Sequence, residues 1–494
     1  MPIDINSLRV DRGGDPDAVR EAQRSRFKAD ERVDGVLQLD RQWRECITST
    51  RDLQTRLGVL QKEVIAPKKK KQLPCEAEVA EANELRQQLR QLESDAVRLE
   101  QERDELLSRL GNYVDASVPV SNDEDHNQVI SMWPTHPPET GPMTHDELLW
   151  RIGGYNPERG AKVAGSRGYF LEDAGVILNQ AILNFGLAFL RKRGYRAVQP
   201  PYFMRKDLMG AVAQLSDFND QLYKVTKGDG ADEAGDKYLI ATSEQPLCAM
   251  HANLESLLID SDMRLAESES TRLTQVLSCT LDIYGDAAAK FRKEILEEDQ
   301  LPLRYAGLST CFRTELGKAG KENRGIFRVH QFEKVEQFCL TAGDLVESTK
   351  MHEEMLRCAE EFYQALGIPY RVVNVVSGEL NDAAIKKFDL EGWFAGQGQY
   401  RELVSCSNCT DFQSRALDVR CKKDKRLQHV HMLNATLVAA GRCICCLLEV
   451  YQTPTGVRVP PALVPFMGGL DFLPFVREPS RDPKKATKPV QPGA

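Results

Sequence analysis

The chain has 494 residues, 41% of them hydrophobic and 28% charged, which excludes a disordered polymer and fits a folded protein with room for two cores. A formal net charge of -8 excludes a surface that coats nucleic acid indiscriminately, so any contact with a polyanion has to be local. Thirteen cysteines, an odd count spread through the chain, exclude a disulfide framework and point to free thiols in a reducing, cytoplasmic setting. The start "MPIDINSLRV" has neither the basic residues nor the apolar run of a signal peptide. Apolar runs such as "CICCLLEV" are far too short for a bilayer, so no membrane partner is expected.

From the N-terminus, Val36, Leu39, Trp43, Cys46, Thr50, Leu53, Leu57, Leu60 and Val64 recur at alternating spacings of three and four, a heptad seam on one long helix. A second seam runs through Ala82, Leu85, Leu89, Leu92, Ala96, Leu99, Arg103, Leu106 and Leu110. Between them "IAPKKKKQLP" is read as a helix-breaking turn, with Pro67 and Pro74 as the interruptions and Lys68, Lys69, Lys70 and Lys71 at the tip. An antiparallel hairpin follows, each helix reaching roughly 45 Å at 1.5 Å per residue. Two readings stay open for it: a dimerisation coiled coil, or a basic arm whose tip lysines and Arg86, Arg90, Arg98 and Arg103 follow an RNA phosphate backbone by charge. "DASVPVSNDEDHN", residues 115 to 127, is polar and turn-rich and reads as the linker that ends this part.

Next, "GYFLEDAGVILNQAILNFGLAFLRKRG" has helical periodicity and a glycine stop at Gly194. It passes to "YRAVQPPYFM", whose tandem prolines Pro200 and Pro201 belong at a sheet edge or a subunit boundary. In 256–298, Leu273, Val276, Leu277, Leu281 and Tyr284 recur at helical spacing, and Phe291 and Ile295 resume the pattern after Gly285 and Asp286. A small helical hairpin on the periphery is the expected form. Further on, "LSTCFRTELGKAGKENRGIFRVHQFEKVEQF" sets Arg and Glu at both ends of a charged loop between two apolar stretches. Cys406 and Cys409 in "CSNC" have metal-ligand spacing, but no second pair completes a tetrahedral set, so structural thiols are expected. In "LVAAGRCICCLLEV" the apolar surroundings of Arg442 make it a charge in want of a partner.

A long helix, a strand and a proline, then "FRTE", a loop, "GIFRVHQFEKVE" and an Arg-bearing helix resemble the three ordered motifs of the class II aminoacyl-tRNA synthetases. "ATSEQPLCA", "IFRVHQFEKVEQF", "ELVSCSNCTDFQSR" and "LNATLVAAGRCICCLLEVYQTPTGVRVP" look like the seryl-tRNA synthetases of the eukaryotic cytosolic type, and the helical hairpin resembles that family's tRNA-binding arm. The resemblance runs over nearly the whole chain except 256–298. It implies an α+β fold, an antiparallel sheet flanked by helices, and a homodimer. It also implies activation of L-serine with ATP to seryl-adenylate and transfer to tRNA(Ser), and to tRNA(Sec) where present.

The same resemblance assigns residues. Arg313 would hold the α-phosphate and the serine carboxylate, with Thr314 beside it; Glu315 would bond the adenine amino group, Phe327 stack on the purine, and Val329 lie beside the nucleotide. Arg442 would grip the γ-phosphate, making Arg313 and Arg442 the catalytic pair. Glu402, Leu403, Val404 and Ser405 would line the nucleotide, with Glu402 and Ser405 as Mg2+ ligands, since hard oxygen donors suit that ion. Thr242, Ser243, Glu244, Glu336, Asn434 and Thr436 would receive serine, a site that penalises analogues lacking the hydroxyl because its polar groups would be left unpaired. The competing reading of Arg313 and Glu315 is a salt bridge with each other, and that of Arg442 a core ion pair. A catalytically dead RNA-binding paralogue would lack one of Arg313, Glu315, Glu402 or Arg442, and a serine ligase acting on a carrier protein would lack the long arm. The expected organisation is a tRNA-binding region over 1–125, a catalytic region over 126–478 and a basic tail over 479–494 that stays disordered.

Overall fold

Both heptad seams become helices: α1 spans Glu31–Val59 and α2 spans Glu76–Leu107. The computed structural model describes residues 3–136, 139–213, 221–226, 236–253, 295–315 and 324–479. The chain divides into two units whose sequence boundary lies between Tyr113 and Val114. In the first, Cys46, Ala96 and Leu99 are buried with Leu39, Trp43, Ile47 and Leu92 packed around them, and Ala82 and Leu85 continue the seam outward. At its inner end the burial passes through Leu107 and Leu110 rather than Leu106.

Two expectations for the hairpin need correction. Pro67 does not interrupt the helix: a π turn over Leu60–Ile65 leads from α1 into a further turn, Ala66–Lys70. Pro67 sits in the first turn of that last piece, where a missing N–H has no partner to lose. Arg103 does not face solvent. It is 5% exposed and pairs with Asp104 at 2.8 Å and with Asp40, a fully buried carboxylate, at 3.5 Å. Its guanidinium also lies 4.8 Å from the Trp43 ring centroid. Asp40 accepts further bonds from Arg9 and Arg44, so an ionic cluster closes the inner end of the seam and each charge there has a partner. Arg98 is paired as well, with Asp95 and Glu102.

The second unit is built on an eight-stranded sheet. In chain order its strands are β1 (Gln128–Trp133), β2 (Arg196–Val198), β3 (Leu303–Phe312), β4 (Gln331–Thr341), β5 (Tyr370–Asn374), β6 (Lys386–Phe394), β7 (Gln399–Asn408) and β8 (His431–Ala439). They lie in the order β1-β5-β6-β7-β8-β4-β3-β2. Every pairing is antiparallel except β2 on β3. β2 forms an edge, as the tandem prolines just after it require.

Three helices pack on this sheet: α3 (Asp173–Arg191), α4 (Leu345–Ala365) and α5 (Ala440–Val450). By length and hydropathy α3 qualifies as a membrane span, against the expectation from the shorter runs, yet half of its apolar window is buried inside the protein. Leu178, Ala181, Ile182 and Leu190 on it have no exposed surface and join one core with β4, β8 and α5. Helix α5 carries a second charge besides Arg442, the buried Glu449. A short antiparallel sheet of Phe203–Arg205, Lys224–Val225 and Lys237–Leu239 leads into Thr242.

Every described cysteine is a free thiol, Cys406 and Cys409 among the buried ones. Most of the expected helical hairpin lies outside the described residues, as does the tail from 480 onward. At its described end, Ile295–Glu297 is a strand, paired parallel to Arg420–Lys422, and not part of an amphipathic helix. Its β-branched start at Ile295 and an open strand edge favour the extended form.

Candidate active site

The site lies where β3 ends and β4 begins, and where β7, β8 and the start of α5 converge. Arg313 follows β3 directly, and its N–H donates to the His330 carbonyl at 2.9 Å. The imidazole of His330 bonds the Arg313 carbonyl and the Tyr223 hydroxyl, each at 3.0 Å, so the strand ends are tied together across the loop. The Nε of Arg313 is buried and has no hydrogen-bond partner among the described residues. Such a donor carries a desolvation cost until an acceptor arrives. Glu315 sits at φ 50°, in the left-handed region, and its carboxylate is 7% exposed. It pairs with Arg167 at 3.4 Å and with Arg328, and not with Arg313. A side chain held in that conformation marks a backbone fixed by its surroundings.

A cleft is lined by Arg313, Glu315, Phe327 and Val329 together with Glu402, Leu403, Thr436 and Arg442. Phe327 is covered by guanidinium groups, with Arg401 at 4.0 Å and Arg442 at 5.0 Å from its ring centroid. Arg442, a quarter exposed, meets the Glu402 carboxylate at 3.2 Å, so its ion pair faces the cleft and not the core. Loss of hydration pulls the Glu402 carboxyl up, but the charges of Arg442, Lys387 and Arg313 outweigh it and hold the group well below the usual carboxylate range. Val404 is fully buried behind the cleft surface, while the successive residues Glu402 and Leu403 both line the cleft because the register of β7 against β6 slips by one residue at Leu403. Ser405 lies opposite Asp389 on β6, whose Oδ2 is 3.6 Å from Lys387 Nζ. The Oδ1 of Asp389 is buried and unpartnered among the described residues. Thr314 lies at the margin, its N–H donating to the Gln221 carbonyl at 3.1 Å.

A second cluster gathers the residues expected to receive serine. Glu336 on β4 is opposite Thr436 on β8 and Gly307 on β3. A side-chain carbon at Gly307 would come within 2.5 Å of the Ser243 Oγ, so glycine is what lets Ser243 approach the sheet. Glu336 accepts from Thr242 Oγ1 at 2.6 Å, Ser243 N at 2.6 Å and Lys334 Nζ at 2.5 Å. Burial opposes its ionisation, but the Lys334 charge and these donors prevail, and its carboxyl sits below the usual range. Glu244 differs, since its hydrogen-bond partners are neutral: Gln413 Nε2 donates at 2.7 Å and Asn434 Nδ2 at 2.9 Å. Burial pushes the Glu244 carboxyl up to about 7, partly offset by the Gln413 bond.

The structure therefore gathers the expected residues into two adjoining clusters, and adds Lys334, Gln413, Arg401, Arg167 and Asp389. Lys334 had a legible signal, two residues before Glu336 on the same face of β4. Arg167 comes from a distant segment and had none, and Gln413 lies in the segment "ELVSCSNCTDFQSR" without a role assigned to it. On the hairpin, Lys68 pairs with Glu78, while Lys69, Lys70, Lys71, Arg86 and Arg90 are exposed.

Residues 286–451 match the tRNA synthetase class II core domain (G, H, P, S and T), and residues 3–114 match the seryl-tRNA synthetase N-terminal domain. The chain is 45% identical to the cytoplasmic serine--tRNA ligase of Dictyostelium discoideum, over 99% of this chain and 98% of the relative. It is 43% identical to that of Arabidopsis thaliana, over 97% of each. Among solved structures, the cytoplasmic serine-tRNA ligase of Naegleria fowleri in complex with AMP aligns with TM-score 0.78 and 40% identity, covering 96% of this chain and 99% of that one. The seryl-tRNA synthetase of Pyrococcus horikoshii complexed with ATP aligns with TM-score 0.79 and 35% identity, covering 96% and 100%. With this kinship along almost its entire length, and the class II sheet carrying both clusters, the chain belongs to the seryl-tRNA synthetases, the class II serine--tRNA ligases.

Proposed function

We propose that the two clusters are the halves of one adenylation site and that each of the assigned residues has the role the family resemblance gives it. An oxygen of the L-serine carboxylate attacks the α-phosphorus of ATP, the P–O bond to the β-phosphate breaks, and diphosphate leaves. Anions must be brought together for this, so fixed cations that are already desolvated lower the barrier. The observation that carries the reading is Arg313: its Nε is a buried donor without an acceptor among the described residues, in a cleft that Arg442 also lines. Phe327 then stacks on the purine, and Glu315, fixed by Arg167 and Arg328, takes the adenine amino group. Thr314, Val329, Leu403 and Val404 shape the nucleotide's surroundings.

Glu402 and Ser405 suit Mg2+, which takes hard oxygen ligands and completes its shell with phosphate oxygens and water. The depressed carboxyl of Glu402 and the Ser405 hydroxyl are such donors. When bound, the ion would neutralise phosphate charge and orient the diphosphate leaving group.

Glu244 takes the serine ammonium or hydroxyl, because its present partners are neutral, while Glu336, already paired with Lys334, orients Thr242 and Ser243. Asn434 and Thr436 complete the side-chain pocket. In the second step a hydroxyl of the terminal ribose of tRNA(Ser) attacks the seryl carbonyl and AMP leaves. Serylation of tRNA(Sec), where the organism has it, uses the same chemistry. The hairpin with Lys69, Lys70, Lys71, Arg86 and Arg90 follows the RNA backbone, with Lys68 released from Glu78 as it does so. The enzyme acts as a homodimer in the cytoplasm, the location that the names of its relatives carry. The regions 1–125, 126–478 and 479–494 are the tRNA-binding, catalytic and tail portions. Charging of a tRNA(Ser) transcript with labelled serine tests the whole reading: the expected result is ATP-dependent serylation that requires the long variable arm, and a chain that charges no tRNA(Ser) refutes it.

A further inference from the structure

We propose that His145 and Glu449 form a positioning pair that fixes the chain's return from the loop between β3 and β4, and with it the aromatic face of Phe327. Neither residue touches the cleft. His145 opens the short helix His145–Arg151 and is 2% exposed, and Glu449, near the end of α5, is 1% exposed. The Nδ1 of His145 meets Glu449 Oε1 at 2.7 Å, and its Nε2 meets the Arg324 carbonyl at 3.0 Å. The Arg324 carbonyl only accepts, so Nε2 carries a proton; the Glu449 carboxylate accepts at Nδ1, where the Gln397 amide also stands at 3.3 Å, so in the proposed pair Nδ1 carries one too and the ring is an imidazolium. Burial alone would lower the ring's affinity for that second proton. The Glu449 carboxylate, in direct contact at Nδ1, opposes that loss and raises the group above the usual histidine range.

Packing gives the pair its reach. Gly325, at φ 61°, lies directly on the ring: a side-chain carbon there would stand 3.2 Å from His145 Cδ2. Phe327 follows two residues later, with its ring centroid 6.2 Å from that of His145 and 5.4 Å from that of Phe394. Glu449 also accepts from the His145 N–H at 2.9 Å and the Gly396 N–H at 2.8 Å. Gln397, which donates to Glu449 at 3.3 Å, accepts from Arg401 at 3.0 Å, and Arg401 is the guanidinium 4.0 Å from the Phe327 centroid. One buried carboxylate therefore determines where both the ring and the cation over it stand. Each of its oxygens is committed to N–H donors, so an amide in its place would turn a donor toward a donor.

The inference rests on Phe327 as the base-stacking residue, and the tests separate the two. In wild-type enzyme labelled with 15N-histidine, at pH 8, the His145 signals, assigned by their loss in His145→Gln, are expected to show both ring nitrogens protonated; a neutral tautomer overturns the proposal. In pyrophosphate exchange, His145→Gln and Glu449→Gln are each expected to raise the KM for ATP about tenfold, the scale of one charge-assisted hydrogen bond, with the KM for serine within about twofold of wild type. An unchanged KM for ATP, or serine and ATP constants rising together, overturns it. Where His145→Gln fails to fold, the signals are assigned by elimination from single substitutions of the other seven histidines, and the wild-type spectrum still decides. If Phe327 is not the stacking residue, Phe327→Ala leaves the KM for ATP unchanged, a failure distinct from that of the pair.

Discussion

Replacing Lys334 by methionine removes one positive charge from a place where nothing else balances Glu336. The two side chains are 7% and 5% exposed and lie 2.5 Å apart, so the lost attraction is not restored by water. The carboxylate keeps its bonds from Thr242 and the Ser243 backbone, which limits the damage to the charge itself. Breaking a buried pair from one side costs about 3 to 5 kcal/mol, and the surviving donors put the expectation near the lower end, about 3 kcal/mol. The pH dependence should change with it. In the wild type the folded-state carboxyl of Glu336 lies below its unfolded value, so it stabilises the protein above the unfolded pKa, and that contribution is lost as pH falls through the folded one. Without Lys334, desolvation dominates, the folded pKa rises above the unfolded one, and the variant should instead gain stability relative to wild type as pH falls. Urea unfolding of the catalytic unit at pH 5 and pH 8 measures both quantities, and the double variant Lys334→Met, Glu336→Gln should recover most of the loss. A loss under about 1 kcal/mol for Lys334→Met, or no recovery in the double variant, would refute the pairing as the source of the effect.

Arg313→Ala and Arg442→Ala should each reduce serine-dependent pyrophosphate exchange below about a thousandth of wild type, as removal of fixed charge from a transition state does, with the circular dichroism spectrum unchanged; either variant retaining exchange loses its assigned role. Because Glu244 titrates at about 7 and its ionised form is the one that meets an ammonium, the KM for serine should climb as pH falls through 7, approaching about tenfold per pH unit below it, and Glu244→Gln should flatten that profile. Changing Lys69, Lys70 and Lys71 together to alanine should weaken tRNA(Ser) binding and reduce the slope of log K against log salt by about 2 to 3, while exchange stays normal; an unaltered slope returns the tip to a solvated turn.

The heptad seams were legible because a helix with one buried stripe must repeat its apolar residues at three and four, and Cys46, Ala96 and Leu99 lie where that rule puts them. What the period could not reveal was that Arg103, at a seam position, finds Asp40 across the hairpin; a charge at a core position reads as exposed until its partner is known. Pro67 illustrates another limit, since the same residue breaks a helix interior and suits a first turn, and only the backbone decides. In the site, Arg313, Glu336 and Arg442 stood out as charges set beside apolar strands and helix. Arg167, Gln413 and Glu449 act through contacts with Glu315, Glu244 and His145 across 148, 169 and 304 residues, and no local pattern encodes such separations. Helix α3 passes a membrane test by composition because a helix buried by its own sheet and one buried by lipid solve the same problem with the same residues.

The most direct test of the adenylation reading is pyrophosphate exchange into ATP by the purified chain, with serine, threonine, alanine and glycine supplied one at a time and no tRNA present. The account predicts rapid exchange with serine and at least about a hundredfold less with alanine or glycine, whose lack of a hydroxyl leaves the pocket's buried polar groups unpaired. Exchange that does not respond to serine, or that alanine supports equally well, would contradict it.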